Sequence, residues 1–339
     1  MSYRIAAIVS FFTLMSVPPA PLAAQTPAAP AVKPSAPAKG TAAVPRTPWG
    51  APDLHGTWSV ATTTPLERPA ELAGKEFFTP EEAAEFSKRV VTQRDTDQRR
   101  QGIADVTAAY NNHWYDYGTK FIPTLRTSLV IDPPDGRVPA LTAEGQKRAA
   151  SAIPISGFQD GRILSSWHDM GLWERCITRG MPNVMLPTAY NNHLQIFQTP
   201  QYVVVLAEMI HEARIIPLDG RRPLDPAIRQ WTGSSRGRWE GDTLVVETTN
   251  FSDKTTFRGS SDGLRLTERF TRVAADVLRY QVTVNDPSTF TRAWTIEVPA
   301  TAADGEIYEY ACHEANYAIP NALKGSRAAE RGKGERPPQ

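Results

Sequence analysis

Gly233-Ser-Ser-Arg-Gly-Arg-Trp-Glu-Gly-Asp-Thr-Leu-Val-Val-Glu-Thr-Thr-Asn-Phe251 reads as a β-hairpin. Leu244, Val246 and Thr248 take one face of its second arm, and Thr243, Val245, Glu247 and Thr249 take the other. That period of two predicts a strand with at least one buried face. Glu240-Gly241-Asp242 separates this arm from the short run Arg236 to Trp239, and Gly241 reaches positive φ at no steric cost, as a tight hairpin needs.

The same pattern fills the C-terminal half. Strands are predicted near 194–199, 202–210, 213–218, 235–239, 243–249, 264–273, 277–285, 290–298 and 306–312, with turns at Asp219-Gly220, Glu240-Gly241, Asp262-Gly263, Asp286-Pro287 and Asp304-Gly305. Closely spaced strands without intervening helices imply an antiparallel sheet, and so many strands leave long edges unless the sheet curls or folds over. The sequential meander favours a barrel over a sandwich. Gly56-x-Trp58, near the start of the folded body, resembles the opening of a lipocalin-type barrel, where an early Trp closes the floor. The fold class expected is therefore mainly β: an antiparallel meander closing into a lipocalin-like β-barrel, with two helices and long loops inserted in the N-terminal half.

The insertion spans about residues 79–152. Thr79-Pro80-Glu81-Glu82 is a helix start, with Thr as N-cap, Pro in the first turn and Glu three residues after the cap. That helix should reach about Arg99, with Ala83, Phe86, Val90 and Val91 on its apolar side. Leu125 to Ile131 reads as a strand that turns at Pro133-Pro134-Asp135-Gly136 into Arg137 to Leu141. Thr142-Ala143-Glu144 opens a second helix, to about Ala152. Gly157 to Pro187 shows no period and reads as loop.

Residues 1–24 read as a secretory signal peptide: Arg4, an apolar stretch from Ile5 to Val17, then prolines and Leu22-Ala23-Ala24. The apolar run is too short for a good membrane span, so no span is expected after cleavage. Residues 25–47 are rich in Pro and Ala and read as a disordered tether, residues 48–325 as a single barrel domain, and residues 326–339 as a disordered tail. The location expected is periplasmic or secreted.

The net charge of +1 falls to zero without Arg4, and Lys33, Lys39 and Arg46 of the tether are also positive, leaving a slightly acidic body. That balance gives no electrostatic footprint for nucleic acid. Cys176 and Cys312 are the two cysteines. In an exported chain one disulfide is the leading reading, against two buried thiols or one reactive thiol.

Familiar chemical motifs fail on context. Gly233-x-Ser235-x-Gly237 and Gly259-x-Ser261-x-Gly263 match a nucleophile-elbow spacing, but strand-like sequence follows where a helix is required. His211-Glu212 begins like a zinc-protease motif, but Ile215 stands where the second His is needed. No glycine-rich phosphate loop opens a helix. Neither a metal nor a cofactor is therefore expected.

The informative residues are charges on apolar strand faces. Glu268 alternates with Leu264, Leu266 and Phe270; Tyr280 with Leu278, Val282 and Val284; Glu208 with Tyr202, Val204, Leu206 and Ile210. A buried carboxylate needs a partner or a proton. One reading is a salt bridge inside the barrel, to Arg214, Arg272 or Arg292. The other is a polar anchor, or a general acid/base, in a ligand cavity. Ala109-Tyr-Asn-Asn-His113 recurs as Ala189-Tyr-Asn-Asn-His193, and the two segments either are similar turns before strands or line one pocket. The candidate site so assembled has Glu208 or His211 as proton acceptor. Asn112, His113, Asn192, His193, Glu268, Tyr280 and His313 surround a ligand.

The run Ser128-Leu-Val-Ile-Asp-Pro-Pro-Asp-Gly-Arg137 with Pro139-Ala-Leu-Thr142, the pair Arg175-Cys176, the segments Gln198 to Val204 and Arg214-Ile-Ile-Pro-Leu-Asp-Gly220, the central hairpin, and Tyr308-Glu-Tyr-Ala-Cys-His-Glu314 are together similar to a family of exported bacterial proteins of unknown function. The likeness spans about Trp49 to Gly325. It implies a shared fold and export, and it transfers no catalytic residue. Both cysteines fall within the shared segments, which supports their pairing.

Three functions follow as expectations. The first is an exported barrel that binds a small apolar or aromatic molecule in its cavity. The second is a cofactor-free lyase, isomerase or hydrolase in the same cavity. The third is an interaction protein with a filled barrel.

Overall fold

The computed structural model describes residues 44–97, 112–152, 163–254 and 257–334. The expected signal peptide and nearly all of the tether, 1–43, lie outside the described residues, as do the rest of the first Ala-Tyr-Asn-Asn-His segment before Asn112 and the last five residues.

The central hairpin forms as β6 (Ser234–Glu240) and β7 (Thr243–Thr249), with Glu240 opposite Thr243 and Gly241 at φ +58°. The other strands are β1 (Gly56–Ser59), β2 (Val130–Asp132), β3 (His193–Gln198), β4 (Tyr202–Ala207), β5 (Glu212–Pro217), β8 (Arg265–Ala274), β9 (Val277–Asn285) and β10 (Trp294–Ala302). Along the sheet the order is β5-β4-β3-β1-β10-β9-β8-β7-β6, every pairing antiparallel, with β2 added against β10. The sheet curls into a nearly closed barrel. Its two end strands, β5 and β6, lie side by side without a ladder between them. Gly237 on β6 permits that approach: a Cβ there would sit 2.7 Å from Leu218 Cδ2 and 2.8 Å from Ile216 Cγ2.

The inward residues alternate as the pleat requires. Leu244 and Val246 come from β7, Leu266 and Phe270 from β8, Leu278, Tyr280, Val282 and Val284 from β9, and Trp294, Ile296 and Val298 from β10, all essentially inaccessible. Trp58 is buried too. Its indole N–H donates to the Leu54 carbonyl at 3.0 Å, and the Arg272 guanidinium lies over its ring.

The barrel interior carries one charged network. Arg214 of β5 donates to Glu268 of β8, Nη2 to Oε2 at 2.6 Å and Nη1 to Oε1 at 3.0 Å. The Tyr280 hydroxyl donates to Glu268 at 2.9 Å, Thr248 at 3.1 Å, and Arg214 also reaches Ser235 of β6 at 3.1 Å. Of the two readings of Glu268, the structure shows the salt bridge to Arg214. Burial together with the neighbouring Glu268 charge holds the Tyr280 hydroxyl well above its ordinary value.

Helix α1 (Pro80–Arg94) begins with the expected capping box: Thr79 and Glu82 bond each other's backbone N–H groups. It stops at Arg94, short of Arg99. Helix α2 (Ala143–Ser151) is capped by Thr142.

Five expectations are corrected. The strand expected over 125–131 shrinks to β2, and its return arm over 137–141 makes only the Leu141 bridge to Phe290, since Pro133, Pro134 and Pro139 supply no N–H. β10 starts at Trp294 and not near 290, because Asp286 holds Ser261, Ser288 and Thr289 in an extended turn. Residues 306–312 are not a strand: β9 takes one edge of β10, while β1 and β2 take the other. Where composition suggested a loose tail after 325, helix α3 (Ala318–Gly334) continues, with its Ser326 hydroxyl accepting from Leu164 N at 2.9 Å.

Glu208 is the fifth. β4 ends at Ala207, and its inward residues are Val203, Val205 and Ala207, not Tyr202, Val204 and Leu206. Both parities of this strand are apolar, so alternation alone could not choose the face. Glu208 takes helical φ/ψ in the turn to β5, where Ile210 has φ +58°.

Candidate functional site: an aromatic cleft beside the barrel

Large side chains pack together inside the barrel, and a cleft lies beside it. The cleft measures about 1250 Å³. Its walls come from the segment after Asn112, the Trp173–Glu174 turn, the Tyr190–His193 approach to β3, and the strap from Tyr308 to Asn316. His193 is the first residue of β3, and its side chain has the parity opposite to the buried Leu194 and Ile196, so it faces away from the core.

Glu208 anchors the floor. It is 3% exposed. Its Oε2 accepts from His193 Nδ1 at 2.9 Å and from His193 N at 3.3 Å, while Oε1 accepts from Tyr308 N at 3.2 Å. Burial pulls the Glu208 carboxyl upward, but the bonds from His193 and the Tyr308 backbone outweigh it, and the net shift is downward. The hydrogen bond to Glu208 raises His193 against its own partial burial, and the charges of Glu208 and Asp116 add to the rise. With Nδ1 engaged, Nε2 has no protein partner among the described residues.

Asp116 completes the cluster. Burial raises its carboxyl, the nearby Glu208 charge raises it further, and His193 opposes. Asn192 positions this acid. It is 2% exposed, its amide N–H donates to the Asp116 carbonyl and to Thr188 O at 3.0 Å, and its Oδ1 accepts from Thr188 N at 2.7 Å.

Aromatic side chains form the walls. Trp173 Nε1 donates to the Tyr310 hydroxyl at 3.0 Å, and the Trp173 and Tyr190 rings lie 6.1 Å apart. The Cys176–Cys312 disulfide ties the Trp173 turn to the strap, closing a separation of 136 residues. Neither cysteine is free.

The sequence-derived candidates divide between separate places. His113, His193 and Glu208 line the cleft, and Asn192 stands behind it. Asn112 is spent on the end of α1, where it bonds Asp95 and Thr96. His211 is exposed and bonds the Tyr310 carbonyl at 3.0 Å; His313 is exposed next to the disulfide; neither lines the cleft. Glu268 and Tyr280 belong to the barrel network. The two Asn-Asn-His segments do meet at one cleft, but through His113 from the first and through Asn191 and His193 from the second. Sequence reasoning missed Asp116, Trp173 and Tyr310, and touched Tyr190 through the repeated Ala-Tyr-Asn-Asn-His segment alone. The only signals for them were the position of Asp116 three residues beyond His113 and the closeness of Trp173 and Tyr310 to the two cysteines.

Among the described residues no three His, Cys, Asp or Glu side chains gather as a metal centre needs. Among the same residues no helix is long and apolar enough to cross a membrane. Compared with protein-family models, with curated proteins and with solved structures, the chain finds no match.

Proposed function

We propose that this is an exported protein that takes a small aromatic or apolar molecule into the cleft, oriented by the His193–Glu208 pair. The observation that carries this is the placement of a hydrogen-bonded imidazole–carboxylate pair, its carboxylate buried and its imidazole partly exposed, in a cleft walled by Trp114, Tyr115, Trp173, Tyr190, Tyr308 and Tyr310. Apolar walls with a few fixed polar groups are the usual make-up of a small-molecule site. Aromatic walls suit a flat ligand, and the imidazole offers it one hydrogen bond. The disulfide, which would be reduced in most cytosols, supports an oxidising compartment, periplasmic or extracellular. Native mass spectrometry of protein purified from its own host tests the reading: a retained molecule of a few hundred daltons is expected, and its absence together with no saturable uptake of aromatic probes would reject it.

A second reading has one observation in its favour. Asp116, raised by burial and by Glu208, stands with His193 as a pair of titrating groups of different character. Such pairs perform general acid/base chemistry near neutral pH. In a cofactor-free lyase, isomerase or hydrolase, Glu208 would hold the imidazole, and His193 Nε2 would exchange a proton with the substrate. Turnover abolished in His193→Gln, with ligand still bound, would distinguish this reading from binding alone.

A further inference from the structure

A second, smaller hollow of about 330 Å³ lies behind the cleft wall. The two hollows share chain segments: Asp116 and Tyr190 face the cleft, while their neighbours Tyr117 and Ala189 line the smaller one. Two arginines line it, Arg94 from the last turn of α1 and Arg179 from the loop before β3, and no Asp or Glu does.

Both guanidinium groups are incompletely satisfied. Arg94 Nη1 and Arg179 Nε are buried and have no hydrogen-bond partner. Neither arginine forms an ion pair among the described residues. Among the described residues the side chain of Arg179 meets an acceptor through Nη1 to Met209 Sδ at 4.0 Å, a weak contact. The groups are held instead by their flat faces. The Arg94 guanidinium carbon lies 4.7 Å from the Tyr117 ring centre, and that of Arg179 lies 4.3 Å from the ring centre of Trp173. Stacking fixes the plane of a guanidinium and leaves its N–H edge unused. Burial draws both groups below their ordinary values, and the negative charge acting on Arg179 from Glu174 comes from the cleft side.

Buried donors on a charged group are costly unless something accepts from them. An oxyanion is the acceptor whose shape fits: the guanidinium fork matches the two oxygens of a carboxylate or phosphate. Thr62, Thr64 and Asn183 add neutral polar groups to the same wall. We infer that the hollow between Arg94 and Arg179 is a binding site for an oxyanion, the carboxylate or phosphate group of a small molecule. The inference does not depend on what occupies the cleft.

The test uses the whole folded protein. Phenylglyoxal modifies accessible arginines, and peptide mass spectrometry locates the adducts. Labelling is run without additive, with inorganic phosphate, and with benzoate, at constant ionic strength set by sodium chloride. Protection of Arg94 and Arg179 together, at least about fivefold and beyond that of the exposed Arg238, is expected from one anion or both. Phosphate alone would identify phosphorylated ligands, benzoate alone carboxylates, and either supports the site. Equal labelling with and without both anions would overturn it. Resistance of both arginines to phenylglyoxal moves the decision to calorimetry with the same two anions. There, Arg179→Gln and Arg94→Gln should each weaken binding at least tenfold relative to a folded wild type. Absent heat, or binding unchanged in every folded variant, would overturn the site. Should the glutamine variants not fold, Arg179→Lys and Arg94→Lys replace them with the same criteria, because lysine keeps the charge and loses the fork.

Discussion

Arg214 on β5 and Glu268 on β8 meet at 2.6 Å with their side chains 3% and 0% exposed, across the line where the barrel has no ladder. The ladders run continuously from β5 round to β6, but the two end strands share none. Arg214 spans that seam, bonding Ser235 of β6 and Glu268 behind it. The pair therefore closes the barrel with side chains where the backbone does not.

Removing one partner should leave the other charge buried and alone. Glu268→Gln is expected to cost about 3–5 kcal/mol of unfolding free energy, read from urea denaturation, while leaving cleft binding unchanged. The double change Arg214→Met with Glu268→Leu should cost much less than the sum of the single changes. Equal, additive losses would mean that the two groups do not act as a pair.

The disulfide joins the two walls of the cleft. Free-thiol titration of the denatured, unreduced protein should find none. Cys176→Ala with Cys312→Ala should lower stability by up to about 5 kcal/mol, the loop-closure scale for so long a loop. It should also weaken ligand uptake, since the strap carrying Tyr308 and Tyr310 loses its tie. Uptake unchanged in a folded double variant would separate the bond from the site.

How much of this was legible in the sequence follows from the physics of each element. β6 to β9 could be read almost residue by residue, because short turns and one-sided alternation fix register locally. The caps at Thr79 and Thr142 were legible for the same reason: their hydrogen bonds lie within four residues. Alternation puts Glu208 on the wrong face, since Tyr202 to Leu206 is apolar on both parities. The cleft itself was not legible. Asp116, Trp173, Glu208 and Tyr310 come from four loops or turns brought together by long-range contacts, and no local pattern encodes such a meeting.

The charge pair at the cleft floor makes a signed prediction. His193 is raised on folding, so its contribution is full below its ordinary value of 6.5 and is lost as pH rises through the higher folded value. Glu208 is lowered, so its contribution is present above its ordinary 4.5 and is lost as pH falls through the lower folded value. The stability difference between wild type and His193→Gln should thus be largest between about pH 4.5 and 6.5 and shrink above that window. Denaturation curves at a series of pH values measure it, and a difference that grows from pH 6.5 to 8.5 would contradict the pairing.

Asn192 tests whether the cleft depends on its backing. Asn192→Ala strips partners from Thr188 and from the Asp116 carbonyl, at about 1–3 kcal/mol for buried polar groups left unsatisfied. Ligand uptake should fall in parallel, because Asp116 loses the residue that places it. Stability lost with uptake intact would confine Asn192 to a structural role.

The central claim is that the aromatic cleft, and not the barrel interior, receives a small apolar or aromatic molecule. Titration of the protein with the neutral probe N-phenyl-1-naphthylamine, followed by its fluorescence, tests this most directly. Saturable binding near one probe per chain is expected, weakened at least about tenfold, or 1.4 kcal/mol, by Trp173→Ala or Tyr310→Ala, and unchanged by Glu268→Gln. Binding that survives both cleft substitutions and is lost with Glu268→Gln would place the site inside the barrel and contradict the account.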